Sequence, residues 1–226
     1  MNFSIVFEDN HLLLVNKPAG LMVEPDNYGH PNLVQEVSNY LSFKDFSKQR
    51  IVANIHRLDR PVSGLIAFAK RKSTLKRVSR QFENREVDKI YLAITDHRPA
   101  EKEGKLTHWL IKDNMNKKAL LFMNERSESE KVELSYKIIS EKAGKYLWEI
   151  KLITGKFHQI RAQLAFSGCP IIGDKKYGSD EIYLEDQIPL HSWKLGLKYP
   201  EGEKKVFKAD IPKSFLWDIF EEKEKA

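Results

Sequence analysis

The sequence predicts an α+β fold on a largely antiparallel, mixed sheet, and three features predict it. Val132, Leu134, Tyr136 and Ile138 alternate with polar neighbours, the pattern of a strand with one buried and one wet face. Similar short apolar runs recur along the chain with polar connections between them. Helical spacing is confined to a few segments, and 226 residues suffice to bury one full core, with room for two lobes.

Residues 3–7 and 12–16 read as two strands across the polar turn Glu8-Asp9-Asn10-His11. Lys17-Pro18-Ala19-Gly20 then punctuates the chain before an extended run at 21–24, with Gly20 taking a conformation that bulkier residues resist. From 31 to 43, Leu33, Val34, Val37, Tyr40 and Leu41 fall on one helical face, with Pro31 suited to the first turn. That is a packing helix.

Residues 65–69 read as a buried strand, placing Asp59 in a loop at its edge. Residues 70–80 then carry six basic side chains in eleven: Lys70, Arg71, Lys72, Lys76, Arg77 and Arg80. Ser73 is the expected N-cap of a helix whose apolar stripe is Leu75, Val78 and Phe82. Its basic face suits phosphate or plain solvent equally. Residues 89–94 alternate as a strand with Lys89, Tyr91 and Ala93 on one face, and a tyrosine in that setting is ordinarily core.

Strands follow at 106–111, 119–123, 132–139 and 146–153, with a charged turn at 124–131. Thr154-Gly155 turns the chain into a helix from Phe157, with Ile160 and Leu164 inward and His158 and Arg161 sharing a neighbouring face. Gly168-Cys169-Pro170 closes it, and a glycine-punctuated loop runs from 171 to 178. The last strands are 188–197 and 204–209. A helix over 212–220 with Phe215, Leu216, Ile219 and Phe220 inward precedes a charged, frayed tail.

Lys and Arg exceed Asp and Glu by 38 to 32, a net charge of +6 that suits a polyanionic partner without requiring one. The single cysteine, Cys169, excludes an intrachain disulfide and a zinc site of paired cysteines, and fits a reducing, cytoplasmic compartment. The first ten residues lack the basic and apolar regions of a signal peptide. No apolar run approaches the roughly 18 residues of a membrane helix.

Two stretches carry the chemistry. In Ile55-His56-Arg57-Leu58-Asp59-Arg60-Pro61-Val62-Ser63-Gly64, a carboxylate stands between two guanidinium groups, which favour its ionised form. An ionised, positioned carboxylate serves as nucleophile or base; the plainer reading is a turn-capping aspartate. In Thr154-Gly155-Lys156-Phe157-His158-Gln159-Ile160-Arg161, a helix start offers Arg161 as partner to an aspartate presented from another loop. His158 is either a general acid or base or, as favoured here, a hydrogen-bonded structural histidine.

These segments together resemble the RluA family of pseudouridine synthases. The resemblance rests on Asn16-Lys17-Pro18-Ala19-Gly20, His56-Arg57-Leu58-Asp59 with Ser63-Gly64-Leu65, Lys89-Ile90-Tyr91-Leu92-Ala93, 154–161, and Gly168-Cys169-Pro170-Ile171-Ile172-Gly173-Asp174. Each is weak alone, but their ordered combination over about 12–178 is specific. The resemblance implies one catalytic domain over 1–226, in two lobes around a basic cleft, without the S4-type RNA-binding domain many members carry. It implies isomerisation of a uridine in structured ribosomal or transfer RNA, with no metal or organic cofactor, by a protein expected to be monomeric.

By the same resemblance Asp59 is the catalytic aspartate acting on the ribose, by attack at C1′ or proton removal from C2′. Tyr91 stacks on the base and assists removal of the C5 proton, and Arg161 pairs with the aspartate. Arg57 fills the gap left by the flipped nucleotide, as a flat guanidinium can. The RNA-binding set is completed by Arg60, Lys70, Arg71, Lys76, Arg77, Lys156, His158, Lys175 and Lys176, whose cations would meet phosphates. Val62 in place of a usual Thr, Lys156 of an Arg and Gln163 of a His depart from the family pattern, and bear on substrate grip more than chemistry.

Two rivals frame this reading. An RNA-binding or RNA-folding factor on the same scaffold would share the charge but would not need Asp59, Tyr91 and Arg161. A retaining glycoside hydrolase would need a second carboxyl group about 5 Å from the first, and no such residue accompanies the matched motifs.

Overall fold

The computed structural model describes residues 2–44, 51–199 and 202–221, and the chain divides into two compact units. The first comprises residues 1–88, 185–187 and 192–211; the second comprises 89–184, 188–191 and 212–226. The charged tail expected to fray lies at 222–226, outside the described residues.

In the first unit, β1 (Ser4–Glu8) and β2 (Leu12–Lys17) form an antiparallel hairpin. Its turn is fixed by Asp9, whose Oδ1 accepts the backbone N–H groups of His11 and Leu12 at 2.7 and 2.8 Å. Leu12, Leu13, Leu14 and Val15 are all fully buried, so β2 is covered on both faces. The helix α1 (Leu33–Lys44) turns Leu33, Val37 and Leu41 inward. Its cap is Asn32, whose Oδ1 accepts the Gln35 N–H at 2.9 Å, so Pro31 precedes the helix instead of sitting in its first turn.

The short strand β3 (Ala53–Asn54) and β2 both pair antiparallel with β4 (Ser63–Ala69), every residue of which is buried. The helix α2 (Lys72–Glu83) follows, and Arg71, not Ser73, occupies its N-cap without a side-chain cap. Thr74, Val78 and Gln81 face inward, while Leu75 and Phe82 are half-buried at the margin. Strand order in this unit is β1-β2-β4-β10, with β10 (Leu190–Lys198) paired to β11 (Lys204–Lys208). Leu12, Leu14, Leu65, Ala67, Val78 and Phe207 belong to one core.

The second unit is an antiparallel set in the order β5-β9-β8-β6-β7. Its strands are β5 (Asp88–Thr95), β6 (Glu103–Asp113), β7 (Lys118–Phe122), β8 (Glu130–Lys142) and β9 (Lys145–Leu152). Trp148 is almost fully buried and donates its indole N–H to Thr95 Oγ1 at 2.8 Å. The helix α3 (Gln159–Phe166) packs Ala162 with Leu110, Ala119, Val132 and Tyr177. Gly168, at φ +78°, ends α3 as its position suggested.

The closing helix is shorter than expected. Only Phe215–Asp218 (α4) is helical, Leu216 and Trp217 are buried, and Phe215 is exposed. The pairings and few helices make this an α+β architecture, as the alternating pattern predicted.

Candidate active site

Asp59 lies in the first unit, half-buried, in the loop leading into β4. The loop is a tight turn: the Val62 N–H donates to the Asp59 carbonyl at 3.1 Å, and the Gly20 N–H donates to the Arg60 carbonyl at 2.8 Å. The turn must feed a strand packed hard on its neighbour. Gly64, at φ +114°, sits so close to β10 that a Cβ would lie 2.3 Å from the Ser192 carbonyl oxygen.

Beneath this loop is a residue to which the sequence reading gave no role. Lys17 closes β2 with no exposed surface, and its Nζ donates to the carbonyls of Leu21 at 2.7 Å, Pro18 at 2.8 Å and Arg60 at 3.2 Å. Burial pushes this ammonium down to about 7, and the Asp59 carboxylate opposes the shift. The available signal was a lysine ending the otherwise apolar run Leu12-Leu13-Leu14-Val15, just before a proline.

The neighbouring arginines differ in how they are held. Arg60 donates from Nε to the Gly20 carbonyl at 3.1 Å and from Nη2 to Asp186 at 2.6 Å. Arg57 is exposed and reaches Glu24 at 3.4 Å, a solvent-screened pair that is easily given up. His56 accepts the Ala67 N–H through Nε2 at 3.1 Å and stacks on Phe82, centroids 4.9 Å apart.

In the second unit, Tyr91 lies on β5 opposite Ile150 and is 7% exposed. Arg161, on α3, is nearly buried and makes a two-point pair with Asp174: Nε to Oδ2 at 2.7 Å and Nη2 to Oδ1 at 2.8 Å. Its guanidinium also lies over the Tyr177 ring, 5.1 Å from the centroid. Asp174 closes the last matched motif, yet the sequence reading gave it no part, because thirteen residues separate it from Arg161. A charged residue following the buried Ile171 and Ile172 was the available signal.

His158 initiates α3 in the left-handed conformation, φ 53°, stacked on Phe157. Burial, with the Arg161 cation beside it, pushes its imidazole down to about 3. It is therefore neutral at pH 7. The Tyr177 hydroxyl accepts the Ala119 N–H at 2.8 Å and shares a hydrogen bond with His158 Nδ1 at 2.9 Å. His158 is thus a hydrogen-bonded, half-buried imidazole at the start of α3.

The remaining basic candidates fall into two groups. Arg71, Lys76, Lys175 and Lys176 are exposed, and Lys176 caps the carbonyls of Lys117 and Asn116 at 3.2 and 3.4 Å. Lys156 forms an exposed ion pair with Glu130. Arg77 is half-buried with its guanidinium over Tyr199, 5.4 Å from the centroid. Lys70 departs from expectation. It is 3% exposed and binds Glu8 at 2.7 Å, and although burial alone would raise the Glu8 carboxyl, Lys70, Lys44 and Tyr40 hold it down to about 2. A lysine committed this way supports the fold and presents no charge to a phosphate.

Two departures from the family pattern prove internal. Val62 is 3% exposed. Gln163 is fully buried; its Nε2 donates to the Leu106 carbonyl and His108 Nδ1, each at 3.1 Å, and its Oε1 accepts from Gln159 at 2.9 Å. Burial keeps His108 below the ordinary imidazole value, preserving the lone pair that bond requires. Gln163 therefore belongs to the packing of α3 on β6, not to substrate grip.

Comparison with known proteins agrees with the motifs. Residues 11–166 match the family model described as RNA pseudouridylate synthase. The chain is 28% identical over 221 residues to ribosomal large subunit pseudouridine synthase D of Borreliella burgdorferi, covering 94% of this chain and 66% of the relative. It is 31% identical over 215 residues to ribosomal large subunit pseudouridine synthase C of Rickettsia typhi, covering 87% and 68%. It thus spans about two thirds of the length of these relatives. The human RNA pseudouridylate synthase domain containing 4 structure shares the fold, with TM-score 0.79 and 24% identity, over 94% of this chain and 90% of that one. By its motifs in order, its matched family model and its relatives, this chain belongs to the RNA pseudouridylate synthase family.

Proposed function

We propose that this protein is an isomerase converting specific uridines of structured ribosomal or transfer RNA to pseudouridine, with Asp59 acting on the ribose. Family membership supports the reaction class, and the relatives named for ribosomal large subunit modification support an RNA substrate. The observation that carries the assignment of Asp59 is its setting. A carboxylate on a loop pinned by Lys17, Arg60 and Gly20, directly before a buried strand, is held in place while remaining accessible.

In this reading the RNA is gripped through its phosphates by exposed cations, of which Arg71 and Lys76 on α2 and Lys175 and Lys176 beside Tyr177 are the candidates. The target nucleotide is extruded at a cost of about a few kcal/mol, and Arg57, weakly tied to Glu24, leaves it to stack in the vacated place. Asp59 opens the reaction at the sugar, by adding to C1′ or by taking the C2′ proton. The N1–C1′ bond breaks, the uracil turns, C5 bonds to C1′, the C5 proton is lost and N1 gains one. Tyr91, and Arg161 steadied by Asp174, are the further catalytic candidates in this reading. No metal or organic cofactor enters this scheme, and a monomer suffices for it.

Release of tritium from RNA labelled at uridine C5 tests it. The wild-type protein releases label and Asp59→Asn does not; full turnover by Asp59→Asn sinks the assignment. Among the described residues no helix is long and apolar enough to cross a membrane.

A further inference from the structure

We propose that Lys17 is the positioning residue of Asp59: a buried lysine whose ammonium form locks the Asp59 loop and supplies positive charge that the carboxylate answers. The inference rests on Asp59 being the reactive carboxylate, but makes a separate physical claim about Lys17.

A fully buried lysine is rare unless its charge is answered. Here it is answered in an unusual way. All three hydrogen-bond partners of Nζ are backbone carbonyls, Pro18 and Leu21 on one side and Arg60 on the other. An ammonium has three N–H donors, while a neutral amine has two and a lone pair, so the carbonyl cage is satisfied only by the charged form. The cage spans the two segments that meet at the turn, 18–21 and the residue following Asp59, so charging the amine closes the loop.

The charge still needs an anion. The groups bearing on it in this unit are Asp59, whose carboxylate favours the ammonium, and the Arg60 guanidinium, itself directed to Gly20 and Asp186. β2 and β4, which flank the site, present Asn16, Ser63 and the backbone of Gly64, none of them charged. Burial opposes the ammonium and Asp59 sustains it. The coupling is reciprocal: if Asp59 sustains the charge on Lys17, Lys17 sustains the charge on Asp59.

The test follows the titration of Lys17 Cε by NMR in the wild type and in Asp59→Asn. Removing the carboxylate lowers the Lys17 midpoint by about one pH unit. An unmoved midpoint overturns the proposal, whatever the enzyme's activity. The activity arm uses Lys17→Met with the tritium assay across pH: kcat falls and its acidic limb moves up by about one pH unit, with KM for RNA little changed. Loss of amplitude with the limb in place marks Lys17 as merely structural and overturns the proposal. If Lys17→Met does not fold, the NMR comparison decides alone. A Lys17 midpoint that falls while Asp59→Asn still turns over uridine supports the coupling and removes Asp59 from catalysis, so the two failures remain distinct.

Discussion

Arg161 and Asp174 are joined by two parallel charge-assisted hydrogen bonds of 2.7 and 2.8 Å, with the two side chains only 6% and 1% exposed. This pair fixes the plane of the guanidinium, and the Tyr177 ring covers one of its faces. Asp174→Asn keeps the shape but removes the charge, taking from the buried Arg161 cation its two-point carboxylate partner. We expect a loss of about 3 kcal/mol in unfolding free energy by urea denaturation. The tritium assay should show kcat reduced at least about tenfold, an order-of-magnitude expectation for a misoriented charged group.

Gly64 cannot be replaced by even the smallest side chain. An alanine there would carry φ +114° and a Cβ 2.3 Å from the Ser192 carbonyl oxygen, on backbone that has no rotamer to yield. Gly64→Ala should lose about 3 kcal/mol or more, read as a fall in thermal midpoint. Gly144→Ala, also at positive φ but with nothing within 4 Å, should lose much less.

Lys70 and Lys76 separate fold from substrate binding within one basic segment. Lys76→Gln should lower the salt dependence of RNA binding by about one unit of slope and leave stability unchanged. Lys70→Met should leave that slope unchanged and cost about 2 kcal/mol, because Glu8 keeps Tyr40 and Lys44 but loses its buried cation. Filter binding at several salt concentrations, alongside denaturation, checks both. A changed slope for Lys70→Met would return that residue to the RNA surface.

His191 has no exposed surface, and burial pushes its imidazole down to about 4 from an ordinary 6.5. The unfolded chain therefore binds a proton that the folded one refuses between those values. Stability is fully present above about 6.5 and is lost as pH falls toward 4, by up to about 1.4 kcal/mol per pH unit. Urea midpoints between pH 7 and 4 should show this slope, and His191→Asn should flatten it.

Much of the architecture was readable without coordinates, because strand alternation and helix spacing are local properties. The alternation at Val132, Leu134, Tyr136 and Ile138, the buried run ending at Ala69 and the stop at Gly168 all follow from neighbours in sequence. Ends were less legible. Asn32 caps a helix whose first turn was read as starting at Pro31, Arg71 took the cap position read for Ser73, and Trp217 instead of Phe215 turned inward, since a four-residue helix shows little periodicity.

The sequence by itself determined the fold class, the family and the loop on which Asp59 stands. Only the tertiary structure decided which charges serve the fold. Lys70 is bound to Glu8 from 62 residues away, Arg161 to Asp174 from 13, and Lys17 is caged in part by a carbonyl 43 positions on. Whether a cation meets solvent, a carboxylate or a ring of carbonyls depends on desolvation and on groups that folding brings beside it, and no spacing along the chain encodes either.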